Sequence, residues 1–247
     1  MAVHAGPDIV TDGLVLHLDA ANGRSYPGSG STWFDLSGRG NDVTLYNSPT
    51  FSNGKLVFNG TNQYARTTST LDISNTPSIT VEYVFNPLTY TTGSGTVKVL
   101  MEATTNFNSF LTGFYFGYND TGPGSWLYDI SVNVRGNAGY NINAWDKGFI
   151  QSNTPVFFTA ILDKSISTGK ETLLYTNGIF RSPTGYVTGF ENNNTNNFGN
   201  EHIFINGRNG SSFLANIEIH SIKIYNRVLS VFELQQNYNA LRGRFGL

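Results

Sequence analysis

Apolar and polar residues alternate along most of this chain, the period-2 signature of strands. In "GLVLHLDA" the side chains of Leu14, Leu16 and Leu18 share one face. In "SITVEYVFNP" Ile79, Val81, Tyr83 and Phe85 fall on one face, with Thr80, Glu82 and Asn86 opposite. "SWLYDISVNVRG" sets Trp126, Tyr128, Ile130, Val132 and Val134 against Asp129, Ser131, Asn133 and Arg135. "PVFFTAILDK" aligns Val156, Phe158, Ala160 and Leu162. Each segment predicts a strand with one face in a core and the other toward solvent or a partner.

Turn chemistry punctuates these strands. Asn177-Gly178 in "TLLYTNGIFRSP" is the strongest short-range hairpin signal, because both residues accept the positive φ that a tight hairpin turn requires. In "ANIEIHSIKIYNR" the apolar phase slips between Ile219 and Ile222, which predicts a bulge near His220 and Ser221. One segment departs from period 2. "LSVFELQQNYNALRGR" carries Ser230 with Glu233 three residues on, a capping-box pattern. Leu234, Tyr238 and Leu241 then share a helical face, and Arg242 and Arg244 sit at the favoured C-terminal end. This short helix is expected on an end or edge of the sheet. "FENNNTNNFGNE" (Phe190 to Glu201) is expected to be a long exposed loop. The pattern predicts an all-β fold, a single sandwich domain over 13–247 behind an N-terminal arm over 1–12, with one short C-terminal helix.

Composition sharpens this picture. Charged residues make up only 13% of the 247 residues, against a usual share of about 25%. Aromatics reach 14%, and the polar complement is Asn, Thr, Ser and Gly. Aromatic and β-branched residues suit pleats, while Asn and Gly suit turns. The net charge of −2 offers no footprint for nucleic acid or for a membrane surface. A surface of hydroxyls, amides and aromatics suits protein packing or neutral glycans. There are no cysteines, so disulfides and thiolate metal sites are excluded. "MAVHAGPDIVTDG" lacks a charged region followed by an apolar run, so no standard secretory signal is expected.

Several pieces, in order, resemble the concanavalin A-like laminin-G superfamily. They are "DGLVLHLDAANGRSYPGSGSTWFDLSGRGNDVTLYNSPTF", "GKLVFNGTNQYAR", "LLYTNGIF" and "IHSIKIYNRVLSVFELQQNYNALRGRFG". The resemblance implies a two-sheet antiparallel jelly-roll sandwich. It looks closest to stand-alone laminin-G-like proteins of tailed phage virions, of marine and cyanobacterial type. The chain departs from the family where Asn59 and Asn62-Gln63 stand at positions often acidic, and where His220 and Ser221 replace acids. Relatives often bind calcium, which wants several carboxylates. Exchange of acids for amides and a histidine disfavours calcium, and no other cofactor or metal is expected.

The same residues carry little catalytic chemistry. Glycoside hydrolysis needs paired carboxylates, and the glutamates are scattered without the spacing that places two on one strand face. His4, His17, His202 and His220 do not pair at metal-ligand spacing. "GSGSTW" reads as a flexible Gly/Ser turn without a phosphate-binding continuation. The stretch "FDLSGRGNDVTLYNSPTF" gathers Asp35, Asn41 and Asp42, yet reads as architecture, with Trp33, Phe34 and Leu36 anchoring a crossing segment. Candidate ligand-binding residues are Asn119 and Asp120 in "YNDTGPGSW" and Trp145 in "NINAWDKGF", because sugars stack on aromatics and offer hydroxyls to acids and amides. Trp126, in phase with a core face, is the weaker aromatic.

These readings predict a non-enzymatic structural protein of a phage virion, a capsid decoration protein with weak glycan adhesion. Its expected partners are capsid or other virion proteins, host surface glycans and copies of itself in a homo-oligomer such as a trimer, without nucleic acid or membrane. It would sit on the virion surface after release by lysis, docked through Ala2 to Thr11 and an exposed sheet face. The alternatives are a receptor-binding tip of a tail or head fibre, or a free carbohydrate-binding lectin.

Overall fold

The computed structural model describes residues 7–90, 97–103, 112–121, 127–145, 148, 150–166, 172–181 and 194–247, without the side chains of 119–121, 127–128 and 140–145. Two large antiparallel sheets face each other. In the first the order is β15 (Ile179–Arg181), β14 (Thr172–Thr176), β13 (Val156–Asp163), β8 (Ser78–Pro87), β18 (Asn216–Tyr225), β5 (Lys55–Asn59) and β4 (Thr50–Ser52). The free flank of β18 beyond β5 is taken by β1 (Leu14–Asp19). The second sheet runs β12 (Gly139–Trp145), β11 (Leu127–Gly136), β10 (Phe114–Thr121), β9 (Lys98–Ala103), β17 (Ile203–Ile205), β6 (Tyr64–Thr67), β3 (Val43–Tyr46) and β2 (Thr32–Trp33). A two-stranded ribbon joins β7 (Leu71–Asp72) to β16 (Asn200–Glu201). The all-β sandwich expected from the alternation is the observed fold.

The inward faces interdigitate as one core. From the first sheet it takes Leu16, Leu18, Tyr83, Phe85 and Phe158, and from the second Trp33, Phe114, Phe116, Val132 and Ile205. The expected bulge lies in β18. Its register against β8 shifts between Ile219 and Ser221, at the point where its other neighbour changes from β5 to β1. The Asn177-Gly178 hairpin joins β14 to β15 with φ of 52° and 74°, as a turn with two left-handed residues demands. A side chain at residue 178 would collide with the Tyr238 ring at 2.8 Å, so close packing against the helix also calls for glycine.

The helix α1 (Val231–Phe245) begins with the expected capping box of Ser230 and Glu233. Its position corrects the expectation of an end or edge. It lies across the outer face of the first sheet, burying Leu234, Leu241 and Phe245 against Val84, Phe157, Ile161 and Tyr225. Both faces of β8 are therefore buried, and Thr80, Glu82 and Asn86 do not face solvent. Beneath α1 the Lys223 ammonium meets Glu82 at 3.0 Å, with both side chains 1% exposed. Asn237 of α1 donates to Glu82 Oε1 (2.9 Å) and to the Tyr225 hydroxyl (3.0 Å), and its Oδ1 accepts from the Val10 N–H (2.8 Å). The Tyr225 hydroxyl donates onward to the Val10 carbonyl. Asp8 and Val10, in the segment expected to dock on a particle, are thus engaged with α1 and β18.

Residues 194–199 also differ from expectation. Asn194 and Phe198 are buried, not looped out into solvent. The Phe198 ring packs edge-on against Phe114 and under the Lys164 ammonium, while the Asn194 side chain accepts from the Ala138 N–H. Amide side chains here satisfy backbone groups that a covering segment would otherwise strand. Residues 190–193 lie outside the described residues.

Candidate functional site

The acid-rich stretch after Trp33 is consumed by its own fold. Asp35 accepts from the His17 and Ser37 backbone N–H groups (2.9 Å each), from the Ser37 hydroxyl (2.6 Å) and from the Asn41 N–H (3.0 Å). Asp42 accepts from the Asp35 N–H at 2.9 Å, and the Asn41 amide donates to the Val15 carbonyl. A carboxylate saturated by four donors has little left for an ion. The aromatic anchor is Trp33 alone: it is fully buried, whereas Phe34 is 42% exposed, which corrects the role expected of Phe34. Among the described residues no group of three or more His, Asp or Glu is placed to hold a metal ion.

Asn119 and Asp120 lie in β10, and Trp145 ends β12, on either side of β11. The register sets Asp120 opposite Tyr128 and Trp145 opposite Ile130, so the three backbone positions share one end of the second sheet. Their side chains lie outside the described residues, as does the whole of Trp126.

The residues that form a usable cavity are others. A cleft of about 310 Å³ opens beside β3, between the loop 26–31 and the turn 47–51. Tyr26, Leu45, Pro49 and Phe51 form its apolar surface, and Ser29, Ser31 and Ser48 its hydroxyl rim. No charged side chain lines it. The Tyr26 and Phe51 rings lie 5.3 Å apart, tilted by 55°.

Local chemistry builds this cleft. Buried Ser25 ties the loop down, donating to the Phe34 carbonyl (2.6 Å) and accepting from the Asp19 N–H (3.1 Å). Gly28 and Gly30, with φ of 95° and 97°, let the chain turn back so that the Gly30 carbonyl accepts from the Tyr26 hydroxyl (3.0 Å). The Leu45 N–H donates to the Ser31 carbonyl at 2.7 Å, fixing the loop to β3. On the far side, Asn47 and Ser48 both take positive φ. Gln63 secures them, donating to both carbonyls (3.0 and 2.8 Å) while its Oε1 accepts from the Asn59 N–H. A carboxylate at position 63 would lack those donors, so the glutamine has a structural use here. The hydroxyls of Ser29, Ser31 and Ser48 have no protein partner among the described residues. The sequence signal for this site is "GSGSTW", whose flexibility is legible but whose enclosure by Phe51 and Pro49 is not.

A second cleft, of about 270 Å³, lies between β1 and α1 and is lined by Asp8, His17, Asp19 and Arg244. Two of its charges are already paired, Arg244 reaching both Asp19 oxygens at 2.7 and 2.8 Å. Burial, with the Lys223 ammonium next, pushes the His17 pKa down to about 4 and leaves the ring neutral at pH 7. Those groups hold α1 to β1.

No protein-family model and no curated protein sequence matches the chain. Solved structures do. A Trypanosoma rangeli sialidase in complex with sialic acid superposes with a TM-score of 0.61 at 16% identity, over 92% of this chain and 33% of that one. The receptor binding domain of a botulinum neurotoxin C/D mosaic serotype gives 0.63 at 13% identity, over 94% and 52%. The binding domain of botulinum neurotoxin serotype D gives 0.62 at 12%, over 93% and 51%. The chain therefore spans a third to a half of the chains it matches. The likeness establishes the shared sandwich fold, and it speaks neither for a laminin-G kinship nor for a phage origin. It does correct the expectation of a non-enzymatic chain. The same fold is built into sialidases, so a missing catalytic motif in this sequence does not exclude an enzymatic role.

Proposed function

We propose that this chain is a glycan-recognition module that seats a neutral sugar ring in the cleft beside β3. One observation carries the reading: an uncharged cavity of about 310 Å³ combines an aromatic and aliphatic surface with three serine hydroxyls left without protein partners. A sugar presents the complementary pair of surfaces, an apolar ring face and a rim of hydroxyls. Free hydroxyls both donate and accept, so they match sugar hydroxyls without an ionic term. The receptor-binding role in the botulinum domain's name is consistent with recognition on this fold. Display of the module on a phage capsid, facing host glycans, is the wider setting of the proposal and is supported by the sequence resemblance.

The test is a neutral-glycan array with the full chain and two variants. Ser31→Trp fills the cleft while its backbone carbonyl keeps the bond from Leu45, and Phe51→Ala removes one ring. Wild-type binding, abolished by Ser31→Trp and reduced about tenfold by Phe51→Ala with melting transitions retained, is expected. Absence of any neutral binder, or binding indifferent to Ser31→Trp, would overturn the reading. For the virion setting, mass spectrometry of purified particles that lack the protein would be decisive against it.

A further inference from the structure

The outer face of the second sheet carries a different chemistry, and α1 does not cover it, since α1 lies on the first sheet. Across four adjacent strands the register aligns Thr44, Arg66, Phe204 and Glu102 in one row. Beside that row Tyr46 and Tyr64 stand directly opposite each other on β3 and β6, stacked at 4.5 Å with planes 3° apart. The Arg66 guanidinium lies between the Tyr46 and Phe204 rings, 5.7 and 5.9 Å from their centroids. Its Nη2 donates to the Tyr46 hydroxyl at 3.1 Å. Its Nε is sealed off without a partner.

The neighbouring cation is satisfied: Arg208 reaches both oxygens of Glu102 at 3.2 and 3.3 Å. On the other sheet and its helix, Lys223, Arg227 and Arg244 are likewise each paired with an acid. Arg66 forms no ion pair among the described residues, and its Nη1 has no hydrogen-bond partner there. A guanidinium pre-set by two rings and one phenol, with Nη1 still without a partner, is a receptor for an anionic group. The chain's net charge of −2 provides no extended positive field, so the feature suits one anionic group and not a polyanion. The half-buried tyrosine pair beside it offers an apolar neighbour to whatever bears that anion.

We infer that Arg66, with Tyr46 and Tyr64, forms a second subsite that takes the carboxylate of an acidic sugar, separate from the neutral cleft on the other side of β3. Leu45 faces that cleft while Tyr46 faces this subsite, so one strand divides the two.

Ligand-observed NMR titration of the full chain with glucuronate, N-acetylneuraminate, the methyl ester of glucuronate and inorganic sulfate tests this. Both acidic sugars are expected to bind at least tenfold more tightly than the neutral ester, and sulfate more weakly than either. Arg66→Gln should remove that preference. Arg66→Lys, which keeps the charge and loses the planar fork, should retain part of it. Tyr46→Phe should weaken binding a few-fold by releasing Nη2. Ser31→Trp should leave acidic-sugar binding unchanged, which separates this subsite from the neutral cleft. Equal affinity for acid and ester would overturn the inference, as would acidic-sugar binding unaffected by Arg66→Gln or lost in Ser31→Trp. Sulfate binding as tightly as the sugars would reduce the subsite to an anion contact and overturn it too. Should Arg66→Gln fail to fold, the acid-to-ester ratio with Arg66→Lys decides.

Discussion

Asp35 shows how a single side chain can suggest a site while serving the backbone. Its four donors come from β1 and from its own loop, so the carboxylate replaces sheet hydrogen bonds that the crossing segment cannot make. Asp35→Asn turns one acceptor oxygen into a donor facing donors. Leaving such a group unsatisfied costs about 1–3 kcal/mol, read as a lower denaturant midpoint at unchanged slope. Asp42→Asn keeps an oxygen for the Asp35 N–H and should shift stability by less than about 0.5 kcal/mol. Equal losses at the two positions would mean that charge, and not donor matching, matters there. The sequence alone could name Asp35 and Asp42 but could not tell saturated from free, because His17 stands 18 residues away.

Among the elements, features set by a few consecutive residues are legible in the sequence and those set by distant partners are not. The Asn177-Gly178 turn, the Ser230 capping box and the bulge at His220 each depend on a few consecutive residues, and each is present. The burial of Phe198 depends on Phe114 and Lys164, which no local window contains. The β1–β18 pair adds a property visible only in three dimensions. His17 and His220 sit there beneath α1, and burial lowers both pKa values from 6.5 to about 4. Around His17 stand Lys223, Asp19, Asp35 and Arg244, and around His220 stand Lys55, Glu218, Arg244 and Asp19. His220 also packs edge-on against Phe245 at 5.0 Å. Between pH 6.5 and about 4 the unfolded chain binds protons at these rings and the folded chain does not. Stability is therefore fully present above pH 6.5 and falls as pH drops toward 4, by on the order of a few kcal/mol for the two rings together. Melting temperatures at pH 7 and 4.5 should reveal the drop, and His220→Phe should shrink it. A pH-independent melting temperature in that window would refute the assignment.

At the scale of the whole molecule, the alternation that revealed the strands also concealed the third layer. Thr80 and Glu82 belong to a polar row that predicts a face toward solvent or a partner, yet α1 and residues 8–10 cover them together with Lys223. The row stays buried because its charges pair with each other and Asn237 supplies the remaining donor. A buried pair tolerates no missing partner, since an uncompensated charge there costs about 3–5 kcal/mol. The helix is thus a lid on an ion pair as well as on Val84, Phe157 and Ile161, and its removal should undo the first sheet. A chain ending at Leu229 is expected to lose its cooperative melt and to bind a hydrophobic dye. A peptide of residues 230–247 added in trans should restore the melt, because the burial it supplies to Val84, Phe157, Ile161 and Tyr225 needs no covalent link. Within the intact chain, Asn237→Leu should cost about 2 kcal/mol or more, since it strands the Val10 N–H and one Glu82 oxygen. If the shortened chain melted cooperatively at the full-length temperature, the outer face of the first sheet would be stable in water by itself. The surface opposite the core would then be free to serve as the docking face that the alternation first suggested.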